Sequence, residues 1–232
     1  MVRVLAVADE VSDALWGPTV PSLATDLVLA AGDLPWDYLE YLTTVLDRPV
    51  VFVPGNHDPA VDDARAHRSG QFLRAGLPCE PPRPTGCVNA DGAVVDAGGL
   101  RIAGLGGCVR YRPGPNQYSQ REYARRAARL LRRVTRLQRR DSRPVDVLLT
   151  HAPPRGLGDE TDRPHVGIDA LHTVLDRLQP QWHLHGHIHP HGRRRPDRAV
   201  GVTTIRNVIP YRLLEITPAA TTPALVGGRR AP

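Results

Sequence analysis

Five short apolar runs in this chain end alike, and that repetition limits the folds available to it. Residues 2–8 run into Asp9 and Glu10, 27–31 into Gly32 and Asp33, and 50–53, through Pro54 and Gly55, into Asn56, His57 and Asp58; residues 145–149 run into Thr150 and His151, and 182–185 into Gly186, His187 and His189. Short β-branched runs closed by glycine or proline read as strands buried on both faces, the pattern of a parallel sheet covered by helices. Ligands of such sheets bind outside the carboxyl ends of the strands. Five tips brought to one edge gather Asp9, Asp33, Asn56, His57, His151, His187 and His189. The set offers carboxylate, amide and imidazole donors and no thiolate, which suits Mn, Fe, Zn or Ni better than a structural zinc. It exceeds the needs of one ion. Two divalent ions roughly 3.5–4 Å apart, sharing a carboxylate, are the usual arrangement for in-line displacement at phosphorus.

These blocks, in this order, resemble the calcineurin-like metallophosphoesterases over residues 9–189. Residues 148–154 and the later His165, Val166 and Gly167 look most like the branch containing cyclic-nucleotide phosphodiesterases and metallophosphoesterase-domain-containing proteins. The resemblance implies an α/β fold, a four-layer αββα sandwich of two mixed β-sheets flanked by helices. It also implies a dinuclear phosphoric ester hydrolase, foremost a phosphodiesterase. Asp33 would bridge the ions, Asn56, His151 and His187 would complete one site, and Asp9 with His189 would serve the other. A hydroxide between the ions would attack phosphorus, and His57 would protonate the leaving oxygen. His165 falls in a loop where that branch places groups near the substrate, or else reads as a surface histidine.

Two departures stand out. The family usually has a histidine two residues after the first aspartate, and this chain has Val11, which cannot bind metal, so the first site is expected to be weakly held. Glu10 and Asp13 are candidate substitutes, although alternation along a strand points Glu10 away from Asp9. Where some members carry an acid that orients the catalytic imidazole, this chain has Trp36; Asp37 and Asp58 are both candidates for that work. The competing reading is a catalytically weak or inactive scaffold of the same fold, with Val11 marking a degenerate metal site. The tandem histidines 187, 189 and 191 also suit metallo-β-lactamase-type hydrolases, but that leaves Asp33 and Asn56 unexplained.

With 232 residues and 41% hydrophobic content the chain suits one domain over residues 1–216, with a loose proline- and threonine-rich tail over 217–232. No run approaches a membrane span, and the apolar opening is too short for a secretory signal, so a cytoplasmic protein without a membrane partner is expected. Cys79, Cys87 and Cys108 have no metal-ligand spacing and read as reduced thiols. Net charge is +6 and every basic residue is arginine, a usage that reads as composition bias. A basic protein attracts anions, which suits a phosphoester small molecule or nucleotide as its partner.

Helical spacing predicts helices over 36–46, 61–76, 119–140 and 168–178, with a short one between residues 9 and 24. Residues 78–84 read as a proline-rich connection. Short strands are expected at 86–89, 93–96 and 100–105, the first two facing each other across an Asp91-Gly92 turn, and at 202–208 and 211–216. Between them, residues 104–112 are glycine-rich, then basic and aromatic. They read either as a loop with solvated arginines or as a clamp in which Arg110 or Arg112 holds a phosphate oxygen and Tyr111 stacks on a base. The 119–140 helix carries nine arginines opposite its apolar face. A solvated surface is the leading reading of that stripe and nucleic-acid binding the minority one. His183, His185 and His191 alternate with the proposed ligands and read as core or supporting residues.

Overall fold

The computed structural model describes residues 1–18, 20–60, 72–74, 77–79, 83–192 and 195–220. In chain order the strands are β1 (Val2–Val7), β2 (Leu27–Ala30), β3 (Val50–Phe52), β4 (Phe72–Arg74), β5 (Leu77–Cys79), β6 (Cys87–Asn89), β7 (Val94–Ala97) and β8 (Leu100–Leu105). They continue as β9 (Cys108–Val109), β10 (Gln117–Tyr118), β11 (Val147–Thr150), β12 (Trp182–His185), β13 (Arg198–Val200), β14 (Thr203–Asn207) and β15 (Tyr211–Ile216). The helices are α1 (Trp36–Leu46), α2 (Gln120–Asp141) and α3 (Ala170–Leu178).

Of the two large sheets, one has the order β15-β1-β2-β3-β6 and the other β13-β14-β12-β11-β8-β7, and β9-β10 and β4-β5 form separate two-stranded pairs. Interior neighbours are parallel; β15, β13 and β7 join their edges antiparallel, so both sheets are mixed. Period-two alternation sorts the side chains into layers. Val4, Ala6, Leu27, Leu29 and Val51 of the first sheet meet Ile102, Val147, Leu149 and Leu184 of the second in a shared core. Leu5, Val7, Val28, Val50 and Phe52 turn outward under Tyr38, Leu39, Leu42 and Leu46 of α1. Ala103, Leu105, Leu148 and Ile205 turn outward under Tyr123, Leu130 and Val134 of α2 and Leu171, Val174 and Leu175 of α3. The expected four-layer αββα sandwich is what forms.

Several local expectations are corrected. β6 and β7 do not face each other across Asp91 and Gly92: β6 extends the first sheet beside β3, whereas β7 pairs with β8 through the Gly98-Gly99 turn. The apolar faces of β6 and β7 are needed by different sheets, so the expected hairpin becomes a crossing between them. The chain from Asp9 to Thr25 holds two 3-10 turns, Asp13–Leu15 and Val20–Ser22, and no α-helix among its described residues. Most of the helix expected over 61–76 lies outside the described residues, but Phe72–Arg74 is a strand paired with Leu77–Cys79, which places Pro78 in a strand. Residues 217–220 continue from β15, and the Ala219 N–H donates to Asp146; the tail expected from 221 onward lies outside the described residues.

Candidate metal centre

Both sheets contribute their carboxyl edges to one cluster: β1, β2 and β3 from the first, β11 and β12 from the second. Hydrogen bonds cross between the sheets at this point. The His187 N–H, after β12, donates to both carboxylate oxygens of Asp9, after β1 (2.9 and 3.1 Å), while within the second sheet the Gly186 N–H donates to the His151 carbonyl (3.0 Å). Asp9, Asp33 and His187 all have left-handed backbone, with φ of 60°, 56° and 68°. That conformation is costly for side chains other than glycine and clusters where function demands it. Two glycines permit the close approach: a Cβ on Gly55 would overlap the Asp33 carboxylate, and one on Gly186 would overlap that of Asp9.

At the centre lies His151, wholly buried. Its Nδ1–H donates to the Ala31 carbonyl (2.7 Å), which leaves Nε2 as a bare acceptor. Nε2 is 3.0 Å from Asn56 Oδ1, 3.1 Å from His187 Nδ1 and 3.3 Å from Asp33 Oδ2. The partners are fixed in the same sense. His187 Nε2–H donates to the Pro164 carbonyl (2.9 Å), Asn56 Nδ2 donates to the Tyr111 hydroxyl (3.3 Å), and Asp33 Oδ1 accepts from the His57 N–H (2.7 Å). Four acceptors therefore face one another: the donors of His151, His187 and Asn56 are engaged outside, and Asp33 has none. Lone pairs crowded out of water are expensive unless a cation or proton sits among them. Burial opposes a charge on His151, yet Asp33 beside it raises its pKa to about 9, while burial pushes His187 down to about 3. The group calls for positive charge, and Asp33, Asn56, His151 and His187 fit one divalent ion.

The second donor set is thinner. His189 Nε2 lies 3.7 Å from Asp9 Oδ1, and burial raises the Asp9 pKa to about 6. Val11 faces solvent. Glu10, expected to point away, instead accepts from His189 Nδ1–H at 2.8 Å, because β1 ends at Val7 and the turn at Asp9 breaks the alternation.

His57 is exposed at the rim, with Arg112 Nη2 3.4 Å from its Nδ1. Asp58, a candidate to orient that imidazole, is buried and accepts from the N–H groups of Gly55 (2.7 Å) and Asp33 (2.9 Å), so it braces the loop. Asp37, the other candidate, accepts from the Tyr38 N–H at the start of α1. Of the two arginines, Arg110 is committed to the Gln117 carbonyl and Glu122, leaving Arg112 at the site. His165 lies beside the cluster, its ring 5.5 Å from that of His187 and its Nδ1 2.7 Å from Asp162. His183 bonds the Thr150 hydroxyl in the core, and His185 lines a cavity of about 190 Å³ with Asp159, Arg195 and Asn207.

Residue patterning missed two supports. Asn116, with φ of 52°, donates to the carbonyls of Gly55 and Asp58 and pins the metal loop; its place after Pro113, Gly114 and Pro115 is the turn signal that could have found it. Tyr111, read as a stacking platform, holds Asn56 through its hydroxyl.

The model of the calcineurin-like phosphoesterase family matches residues 6–191, which include every block of the cluster. The chain belongs to that family. Curated relatives align over a small part: 49% identity over 47 residues with UPF0046 protein T07D4.2 of Caenorhabditis elegans, and 46% over 48 residues with metallophosphoesterase domain-containing protein 1 of Homo sapiens. Each match covers 19% of this chain and only 12% and 15% of those proteins. Among solved structures, one crystal structure aligns over 95% of this chain and 99% of its own with a TM-score of 0.60 at 18% identity. TT1561 of Thermus thermophilus aligns over 88% of this chain and 87% of its own with a TM-score of 0.53 at 16% identity. Likeness at these identities concerns the fold. As a member of that family, the chain carries a candidate divalent-metal site, with Asp33, His151 and His187 offering ligand atoms close to one another.

Proposed function

We propose that this chain hydrolyses phosphodiesters, with one firmly held divalent ion at Asp33, Asn56, His151 and His187 and a weaker one at Asp9 and His189. The observation that carries this reading is the four inward acceptors, three with their hydrogens spent elsewhere and the fourth a carboxylate oxygen. When bound, a divalent ion supplies Lewis-acid neutralisation of phosphoryl charge. The protein's own groups do the rest. His57, exposed beside Asn56, is placed to give a proton to the leaving oxygen, and Arg112 sets the ring by facing Nδ1, so that Nε2 carries the transferable proton. Arg112 also offers a fixed positive charge at the rim, where it attracts the phosphoryl group of an ester. Asp58 and Asn116 hold the loop that presents His57.

The test is hydrolysis of bis(p-nitrophenyl) phosphate against p-nitrophenyl phosphate, with metal content measured on the same samples. The diester should be preferred. His57→Ala should lower kcat by about 10²- to 10⁴-fold with bound metal unchanged. A protein that binds metal and hydrolyses neither ester would favour the scaffold reading, which the exposed Val11 and the two-donor second set support.

A further inference from the structure

Helix α2 carries nine arginines; Arg140 sits at its end beside Asp141, and the other eight divide into two groups. Arg126 is fixed to Asp91 at 2.5 Å and lies over the Tyr118 ring, and Arg133 donates to the Gly92 carbonyl. Arg121, Arg125, Arg129, Arg132, Arg136 and Arg139 are exposed, and among the described residues none has a side-chain hydrogen bond or ion pair. At 3.6 residues per turn these six fall within an arc of about 80° and run about 27 Å along the helix. Tyr123, Ala127, Leu130 and Val134 occupy the opposite side and are buried. The acids of the helix, Glu122 and Asp141, are taken by Arg110 and Arg101. Composition bias explains why these residues are arginine and not lysine. The buried opposite face puts them on one side, but neither fact accounts for a stripe without interleaved acids, since like charges at i,i+4 repel.

From this stripe we infer a docking surface for the backbone of duplex nucleic acid, bound without regard to sequence. The charge and its length match a phosphate row, since about 27 Å corresponds to about eight base-pair steps at 3.4 Å each. A membrane surface fits worse, because an interfacial helix needs a free apolar face and here that face is in the core. Single strands fit worse because they rely on stacking, and the one aromatic residue of the helix, Tyr123, is fully buried with its hydroxyl donating to the Leu105 carbonyl. The surface begins beside the metal centre: Gln120, in the first turn of α2, donates to the Gly167 carbonyl in the segment that carries His165.

The test is fluorescence anisotropy of a labelled 20-base-pair duplex of arbitrary sequence, titrated with the full chain at several salt concentrations. With six contacts, affinity should fall roughly 10³-fold between about 50 and 200 mM salt. Replacing Arg125, Arg129 and Arg132 together by glutamine should flatten the log–log salt slope by about 2.7. Replacing the exposed Arg83, Arg177 and Arg198 by glutamine removes the same charge and should leave the slope nearly unchanged. Matching melting temperatures would show that both variants are folded. Equal weakening by the two triples would reduce the effect to bulk charge and overturn the inference, as would no duplex binding at low salt, tighter binding of the corresponding single strand, or tighter binding of vesicles of anionic phospholipid.

Discussion

At the scale of single residues, the candidate ligands His151 and His187 owe their aim to backbone carbonyls that accept their outer hydrogens. Asp9, Asp33, Asn56, His151 and His187 announce themselves because each ends an apolar run. The groups that set their tautomers, the carbonyls of Ala31 and Pro164, carry no side-chain signal at all. Glu10, a candidate substitute for the missing histidine, is expected to point away from Asp9 only if alternation is carried past the end of β1, where it no longer holds. Its contact to His189 Nδ1 yields a prediction: Glu10→Gln keeps the shape but weakens the pull on that proton, so the second ion should bind about 10-fold more weakly while the first is unaffected, as isothermal titration would resolve into two classes of site. Gly55→Ala makes the complementary case. Its Cβ would collide with the Asp33 carboxylate, so the variant should lose metal at the first site and activity with it, a loss that metal analysis of the folded protein would register.

At the scale of elements, helices with a strong apolar face are legible almost to the residue: α1 at 36–46 and α2 within one residue of its expected ends. β6 and β7 went wrong because strand pairing is non-local, and nothing in residues 86–96 says which of two sheets each strand will join. α2 begins with a capping box in which Ser119 Oγ accepts from the Glu122 N–H (3.2 Å) while Glu122 accepts from the Ser119 N–H (2.7 Å). Ser119→Ala should therefore cost about 1 kcal/mol, read by chemical denaturation. The same helix start neighbours Arg110, which Glu122 holds. Arg110→Ala should thus lower stability and leave KM for a diester near its original value, whereas Arg112→Ala should raise KM several-fold and leave stability alone; the opposite pattern in steady-state kinetics and melting would exchange the two arginines' roles.

At the scale of the whole molecule, chemistry and cohesion sit at opposite ends of the strands. The carboxyl ends hold the strained ligand turns. At the amino ends a buried guanidinium, Arg101, joins β8 to its neighbours, donating to Asp96 through Nε (2.9 Å) and Nη2 (3.0 Å), to Asp141 at the end of α2 (2.7 and 2.9 Å) and to the Arg143 carbonyl. Its own N–H donates to Asp146, which also accepts from Ala219 beyond β15. Arg101 holds the carboxyl groups of both Asp96 and Asp141 below their usual range. A carboxylate whose pKa is depressed on folding adds stability above its unfolded pKa, near 3.9, and loses it as pH falls through the lower folded value. The melting temperature should consequently hold through neutral pH and drop as pH falls below about 4. Arg101→Met keeps the stem but strands two carboxylates that can turn toward solvent, so it should cost about 2–3 kcal/mol at neutral pH, below the full penalty for breaking a buried pair. In that variant the acid-side fall of the melting temperature should be shallower than in the parent chain, because the depressed carboxyl groups that drive it have lost their main partner and keep Arg143. An equally steep fall would place the origin of acid sensitivity elsewhere, with the carboxylates of the ligand turns next in line.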